Sequence, residues 1–393
     1  MKKNFNYKEV IFLVVLTCIV SLWMGNSIEL NKVEPRKESD DYLKEFEENY
    51  QYILDNYYDN VDKEAIIKGA IGGMVNALGD DYSVAITDES SNNFNTRLTG
   101  SYNGIGIEIV NDNNYNIIIS DVFEDTPASK AGLQVMDIIL SIDDVDFSNK
   151  KTSELTNYIK ESNQEKYTIR VKRGTEELSF ELERQHIQIK SIYSELKESD
   201  NHKIGYIYIS VFASNTASQF KEAVESLESQ GMDSLIIDVR YNTGGHLTSA
   251  VEILSYLLSS DKVIYQIESK GTTTKYYSKG SEMKTYPIVV LQNKGSASAS
   301  ELLSAALKEE YGATIIGEVS YGKGTVQELV TLTDGTQYKF TTKKWLTPKG
   351  NWINGVGVSV DIEESLSEEY ENNPTEENDS QLQRAIQYLK ETD

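Results

Sequence analysis

Between Lys203 and Thr342 the chain alternates short, continuously apolar segments with amphipathic ones, and few folds accommodate that alternation. Lys203–Ile209 and Ser234–Arg240 read as strands, while Ala217–Gln230 between them repeats its apolar positions at helical spacing. A further helix is expected after Gly244-Gly245, running through Leu258, and Pro287–Leu291 reads as another short buried strand. Strand, helix and strand in repeated order must bury their apolar faces against each other, so the expected fold class is α/β.

Two segments of this region carry chemistry. Asn293-Lys294-Gly295-Ser296-Ala297-Ser298-Ala299-Ser300-Glu301 follows a strand and leads into the helical spacing of Leu302–Leu307. A serine at such a turn sits beside free backbone N–H groups and the positive end of a helix dipole, both of which would stabilise an oxyanion. An ordinary helix N-cap explains a serine there equally well. The second segment, Gly317–Gln327, sets Lys323 between Gly322 and Gly324, which implies backbone folded closely around one lysine.

A serine nucleophile needs a base, and the chain has only three histidines, at 186, 202 and 246. His186 and His202 flank charged stretches and are expected at the surface. His246 follows Gly244-Gly245 and remains a candidate. A lysine serves as base when burial lowers its pKa, because desolvation disfavours the charged form. The formal charge of -24 pushes the other way, so local burial must prevail. Composition does not choose among Ser296, Ser298 and Ser300.

Ser-Ala-Ser-Ala-Ser-Glu at 296–301 followed by Ser-Tyr-Gly-Lys-Gly-Thr-Val-Gln at 320–327 resembles the carboxyl-terminal processing proteases, or tail-specific proteases. The resemblance implies that Ser298 is the nucleophile, Lys323 its general base and Gln327 the residue that orients the lysine. It also implies an oxyanion hole from the backbone of Gly244 or Gly245, after Asp238-Val239-Arg240-Tyr241-Asn242, together with Ala299. His246 occupies a place where that family usually has an apolar residue. Gly317–Lys323 meets the first seven places of a P-loop, but Gly324 stands where Ser or Thr should bind magnesium, and Thr325–Val330 reads as a strand where a helix is required.

The resemblance extends to most of the chain. Residues 1–26 place Lys2, Lys3 and Lys8 ahead of an apolar run from Val10 to Met24, the pattern of a signal peptide or signal anchor, here read as an uncleaved anchor. Residues 27–41 are a polar tether. Residues 42–99 form a helical segment in which Leu43, Phe46, Tyr50, Ile53, Leu54 and Tyr57 make an aromatic and aliphatic stripe, expected to be core or a dimer face. The Gly79–Ser83 turn lacks the proline common in the family. Residues 100–185 follow the element order of a PDZ domain in the permuted form of bacterial proteases. Such a domain captures a peptide C-terminus with loop amides, implying Gly104, Ile105, Gly106 and Ile107. Residues 186–362 are the expected crotonase-like protease core, 363–380 an acidic solvated linker and 381–393 a closing helix.

The implied activity is that of a serine endopeptidase acting on partly unfolded proteins recognised by their C-termini. A membrane-anchored PDZ adaptor without catalysis is the alternative. The resemblance implies no metal or cofactor, and is compatible with a homodimer. The acidic balance argues against nucleic acid. The N-terminal pattern implies a single-pass membrane protein with its catalytic part outside the cytoplasm, or a secreted one if the segment is cleaved. Cys18 is the only cysteine, so the fold is expected to rest on burial without disulfides.

Overall fold

The computed structural model describes residues 37–85, 99–112, 114–162, 164–331 and 337–392. The expected anchor at 1–26 and most of the tether lie outside the described residues. Among the described residues no helix is long and apolar enough to cross a membrane.

The chain divides into two units, one ending at Met74 and one beginning at Val75. The first contains α1 (Lys37–Asn56) and the body of α2 (Lys63–Asn76). Asp62 starts α2, its carboxylate accepting from the amides of Glu64 and Ala65. The stripe on α1 is not core: Tyr42 and Leu43 are each 68% exposed, Phe46, Ile53 and, just past the helix end, Tyr57 are exposed with them, and Tyr50 and Leu54 are half-buried. Helical spacing located the helix but does not reveal what covers its apolar face.

The second unit opens with the two-residue strand β1 (Val84–Ala85). Next comes an antiparallel domain of β2 (Ser101–Gly104), β3 (Ile107–Asn111), β4 (Ile117–Val122), α3 (Pro127–Ala131), β5 (Ile138–Ile142), β6 (Val145–Asp146), α4 (Thr152–Glu161), β7 (Lys166–Arg173), β8 (Glu176–Glu183) and β9 (Gln185–Gln188). Its main sheet runs β3-β4-β5-β7-β8. Along β7, Tyr167, Ile169 and Val171 point inward between outward Lys166, Thr168 and Arg170, the two-residue period of a half-buried strand. They close over Ile117, Ile119, Ile139 and Leu155. Entry strand β2 pairs with exit strand β9, Ser101 opposite Gln188.

The larger domain holds β10 (Ile192–Ser199), β11 (His202–Ile209), α5 (Thr216–Ser229), β12 (Ser234–Asp238), α6 (Leu247–Leu257), β13 (Val263–Ser269), β14 (Thr272–Tyr277), β15 (Ile288–Gln292), α7 (Ala299–Ala306), β16 (Thr314–Gly317), β17 (Thr325–Thr331), β18 (Gln337–Leu346), β19 (Ile362–Glu363), α8 (Glu368–Asn372) and α9 (Ser380–Glu391). One sheet runs β10-β11-β12-β15-β16-β19, parallel after the first pair. Every residue of β12 and β15 is buried, as strands covered on both faces must be. Phe220 and Val224 of α5, Ile253 and Leu254 of α6, and Leu302 and Leu303 of α7 pack in one core cluster. Leu382, Ala385 and Leu389 of α9 pack in another, with Ile204, Ile236, Val289 and Ile316. A second sheet centres on β18, which pairs with β1, β13 and β17.

The acidic stretch 363–380, expected to be a solvated linker, is mostly exposed or half-buried among its described residues, but it carries α8, and one of its acids, Asp379, is buried. Asp379 and Asp238 together grip the Arg240 guanidinium at 2.6–2.8 Å, an ion cluster that composition alone does not reveal.

Candidate active site

Because β12, β15 and β16 are parallel neighbours, the segments leaving their carboxyl ends emerge side by side, where open α/β sheets place their ligands. The glycine pair, the serine cluster and the lysine loop are those three segments.

The three serines of the cluster differ in what their hydroxyls do. Ser296 is buried and donates to Val239 O at 2.8 Å. Ser300 is buried and donates to Asn242 O at 2.7 Å. Both lock the turn against the loop after β12. Ser298 alone of the three lines the open cavity. Its backbone has φ 56° and ψ −111°, outside the regions a serine ordinarily adopts. Such strain costs about 1–3 kcal/mol and persists only where the surroundings enforce it. Gly244 packs directly on this turn: a Cβ there would come within 2.9 Å of Ser298 Cβ and 3.0 Å of Ala299 N. A Cβ on Gly245 would stand 2.2 Å from Phe212 O. The Gly244 amide donates to Asn242 Oδ1 at 2.8 Å, whereas no acceptor is bonded to the amides of Gly245 and Ala299 among the described residues.

Glu301, fully buried, ties the serine turn to the lysine loop. Its carboxylate accepts from Ser298 N at 2.8 Å, Lys323 N at 2.9 Å, Gly322 N at 2.6 Å and Ser320 Oγ at 2.6 Å. Sequence reasoning assigned this residue no role. Its signal was the Ser-x-x-Glu spacing of a capping box at a helix start.

The lysine loop is held from its other side as well. Trp345 Nε1 donates to Lys323 O at 2.7 Å, Trp352 Nε1 to Gly324 O at 2.9 Å, and Gly355 N to Gly322 O at 2.8 Å. With its backbone so engaged, the loop leaves the lysine side chain to be placed by its surroundings. The Lys323 ammonium lies 4.6 Å from the centre of the Tyr82 ring. Burial pushes the Lys323 pKa below a lysine's usual value, and the Lys339 charge adds to this, against the opposing pull of Glu301 and Asp80. Tyr82 is the second residue that sequence reasoning missed. Its turn is fastened by Ser83, which donates to Asp80 at 2.5 Å and accepts from Thr341 N at 3.0 Å.

Gln327 is placed differently from the expectation. Its amide nitrogen donates to Thr325 Oγ1 at 2.9 Å and Thr341 Oγ1 at 3.1 Å, and no hydrogen bond joins it to Lys323 among the described residues. Nor is one formed there between Ser298 and Lys323; in proteins without substrate such contacts are often long and tighten only when substrate binds. His246 starts α6 and is not among the residues lining the cavity that holds Ser298.

That cavity, about 1950 Å³, is continuous from Ser298, Lys323, Gly244 and Gly245 to Gly104, Ile105 and Ile107 of the β2–β3 loop. Gly106 completes that loop at φ 92°, where a Cβ would collide with Thr126.

The carboxy-terminal processing protease CtpB of Bacillus subtilis is 38% identical over 83% of this chain and 68% of its own length. The chain belongs to the carboxy-terminal processing proteases. Within that family, CtpA of Bacillus subtilis is 31% identical over 91% of this chain and 77% of its own. Residues 203–364 match Peptidase family S41, residues 103–183 match the PDZ domain, and residues 20–90 match the N-terminal domain of the activating protease CtpB. A solved Bacteroides fragilis structure assigned to S41 superposes with a TM-score of 0.50 at 16% identity, covering 81% of this chain and 88% of its own, which speaks to the fold alone. The protein is thus a serine-type peptidase of α/β fold with a PDZ domain, as the sequence motifs implied.

Proposed function

We propose that this carboxy-terminal processing protease works with a Ser298–Lys323 pair, outside the cytoplasm, on partly unfolded proteins whose C-termini its PDZ domain captures. The observation that carries the reading is the strained Ser298, the one cavity-facing serine of its cluster, tied through Glu301 to a half-buried lysine of lowered pKa.

Neutral Lys323 takes the Ser298 proton as the hydroxyl oxygen attacks the scissile carbonyl, and returns it to the leaving amine as the peptide bond breaks. The oxyanion accepts from the Ala299 and Gly245 amides, Gly244 serving by close approach because its own N–H is engaged. Lys323 then takes a proton from water as it attacks the ester carbonyl and returns that proton to the Ser298 oxygen as the ester bond breaks. Gln327 would act on the lysine only after turning from its two threonines. The amides of Gly104, Ile105, Gly106 and Ile107 are the proposed carboxylate-binding loop. The location outside the cytoplasm rests on the lysine-led apolar run at 1–26.

The test mixes the purified protein with an unstructured protein bearing an apolar C-terminus and reads products by mass spectrometry. Cleavage by the parent and none by Ser298→Ala is expected. Equal cleavage by both would overturn the assignment.

A further inference from the structure

Strand β2, leading into the β2–β3 loop, carries one polar group that no other described residue uses. The Tyr102 hydroxyl is buried and has no hydrogen-bond partner among the described residues, although the residue lines the large cavity. A buried hydroxyl without a partner is costly, so its persistence calls for a role. Its ring is fixed over Gly104, where a Cβ would come within 2.3 Å of the ring carbon Cε2. The hydroxyl lies beside the Gly106 amide without forming a bond of acceptable geometry. Burial pushes its pKa up to about 12, so it keeps its proton at neutral pH.

The loop's backbone is aimed by its neighbours. Ile105 O accepts from Ala128 N at 2.9 Å, and Gly106 O accepts from Phe123 N at 3.0 Å. All peptide bonds here are trans, so N–H and C=O of one peptide unit point in opposite directions. The amides of Gly106 and Ile107 therefore point away from α3 and β4. Among the described residues neither these two amides nor the phenol beside Gly106 is bonded to an acceptor.

We propose that Tyr102 donates a hydrogen bond to the C-terminal carboxylate of the substrate, a side-chain contact added to the backbone amides of the loop. A carboxylate suits the place because it only accepts, and its two oxygens can take several donors at once. The proposal rests on the reading that the PDZ domain captures C-termini, and the test separates the two.

The protein carrying Ser298→Ala, which prevents turnover, is titrated with a fluorescent decapeptide ending in Val-Val, as free acid and as C-terminal amide. The free acid should bind more tightly. Tyr102→Phe should weaken the acid about tenfold, the scale of a hydrogen bond to a charged group, and leave the amide nearly unchanged. Because the substitution removes only an unpartnered oxygen, the thermal midpoint should not fall. If the acid preference is undiminished in Tyr102→Phe, the tyrosine has no part in carboxylate binding and the proposal is overturned while PDZ capture stands. Equal weakening of acid and amide with a lowered midpoint would also overturn it, in favour of a structural role. If the parent shows no acid preference, carboxylate capture itself fails and the proposal falls with it.

Discussion

Lys323 is held below a lysine's usual pKa by burial first and by the Lys339 charge second. Lys339→Gln removes the second cause, so the Lys323 pKa rises and less of it is neutral near pH 7. The expected result is lower kcat/KM there and a rising limb displaced to higher pH, with Lys339→Arg keeping the parent profile; a pH–rate series on one peptide reads it. An unmoved limb would mean that another group titrates. Glu301→Gln is the complementary test. Four donors converge on this carboxylate, and an amide would set its own N–H groups against them. A loss of about 3 kcal/mol in urea unfolding and of about a hundredfold or more in kcat is expected. At this scale the sequence was partly legible. The motifs located the serine cluster and the lysine, but the roles of Ser296 and Ser300 depend on acceptors 57 and 58 residues away. Tyr82 likewise reaches Lys323 from across the chain, and no local pattern announces such a contact.

Among the elements, periodicity performed well because it reports burial directly. The continuous apolar runs became β12 and β15, and the helical spacing of 217–230 became α5. It failed where a partner is remote. The acids before α9 read as solvated, yet Asp379 caps that helix by accepting from Leu382 N at 3.0 Å and binds Arg240 from beyond β12. Arg240 also chelates Asp238, which accepts from the Tyr206 hydroxyl at 2.8 Å. Removing one member of a buried ion cluster leaves uncompensated charge. Arg240→Met should therefore destabilise the protein by about 3–5 kcal/mol and accelerate amide hydrogen exchange across 380–391. Unchanged exchange in α9 would show that apolar packing by Leu382, Ala385 and Leu389 holds the helix without the clamp.

For the molecule as a whole, the α/β core, the PDZ domain and the family were all readable from two motifs and an element order. What the sequence withheld was continuity: that the β2–β3 loop and Ser298 share one cavity follows from tertiary packing alone. The measurement closest to the central claim is acylation of Ser298 itself. Intact protein is treated near neutral pH with a fluorophosphonate, and the adduct is mapped by mass spectrometry in the parent, Ser298→Ala and Lys323→Ala. One adduct on Ser298 is predicted, absent from Ser298→Ala and formed about 10²–10⁴-fold more slowly in Lys323→Ala, the usual worth of a general base. An unmodified Ser298, or labelling of it that ignores the loss of Lys323, would contradict the account.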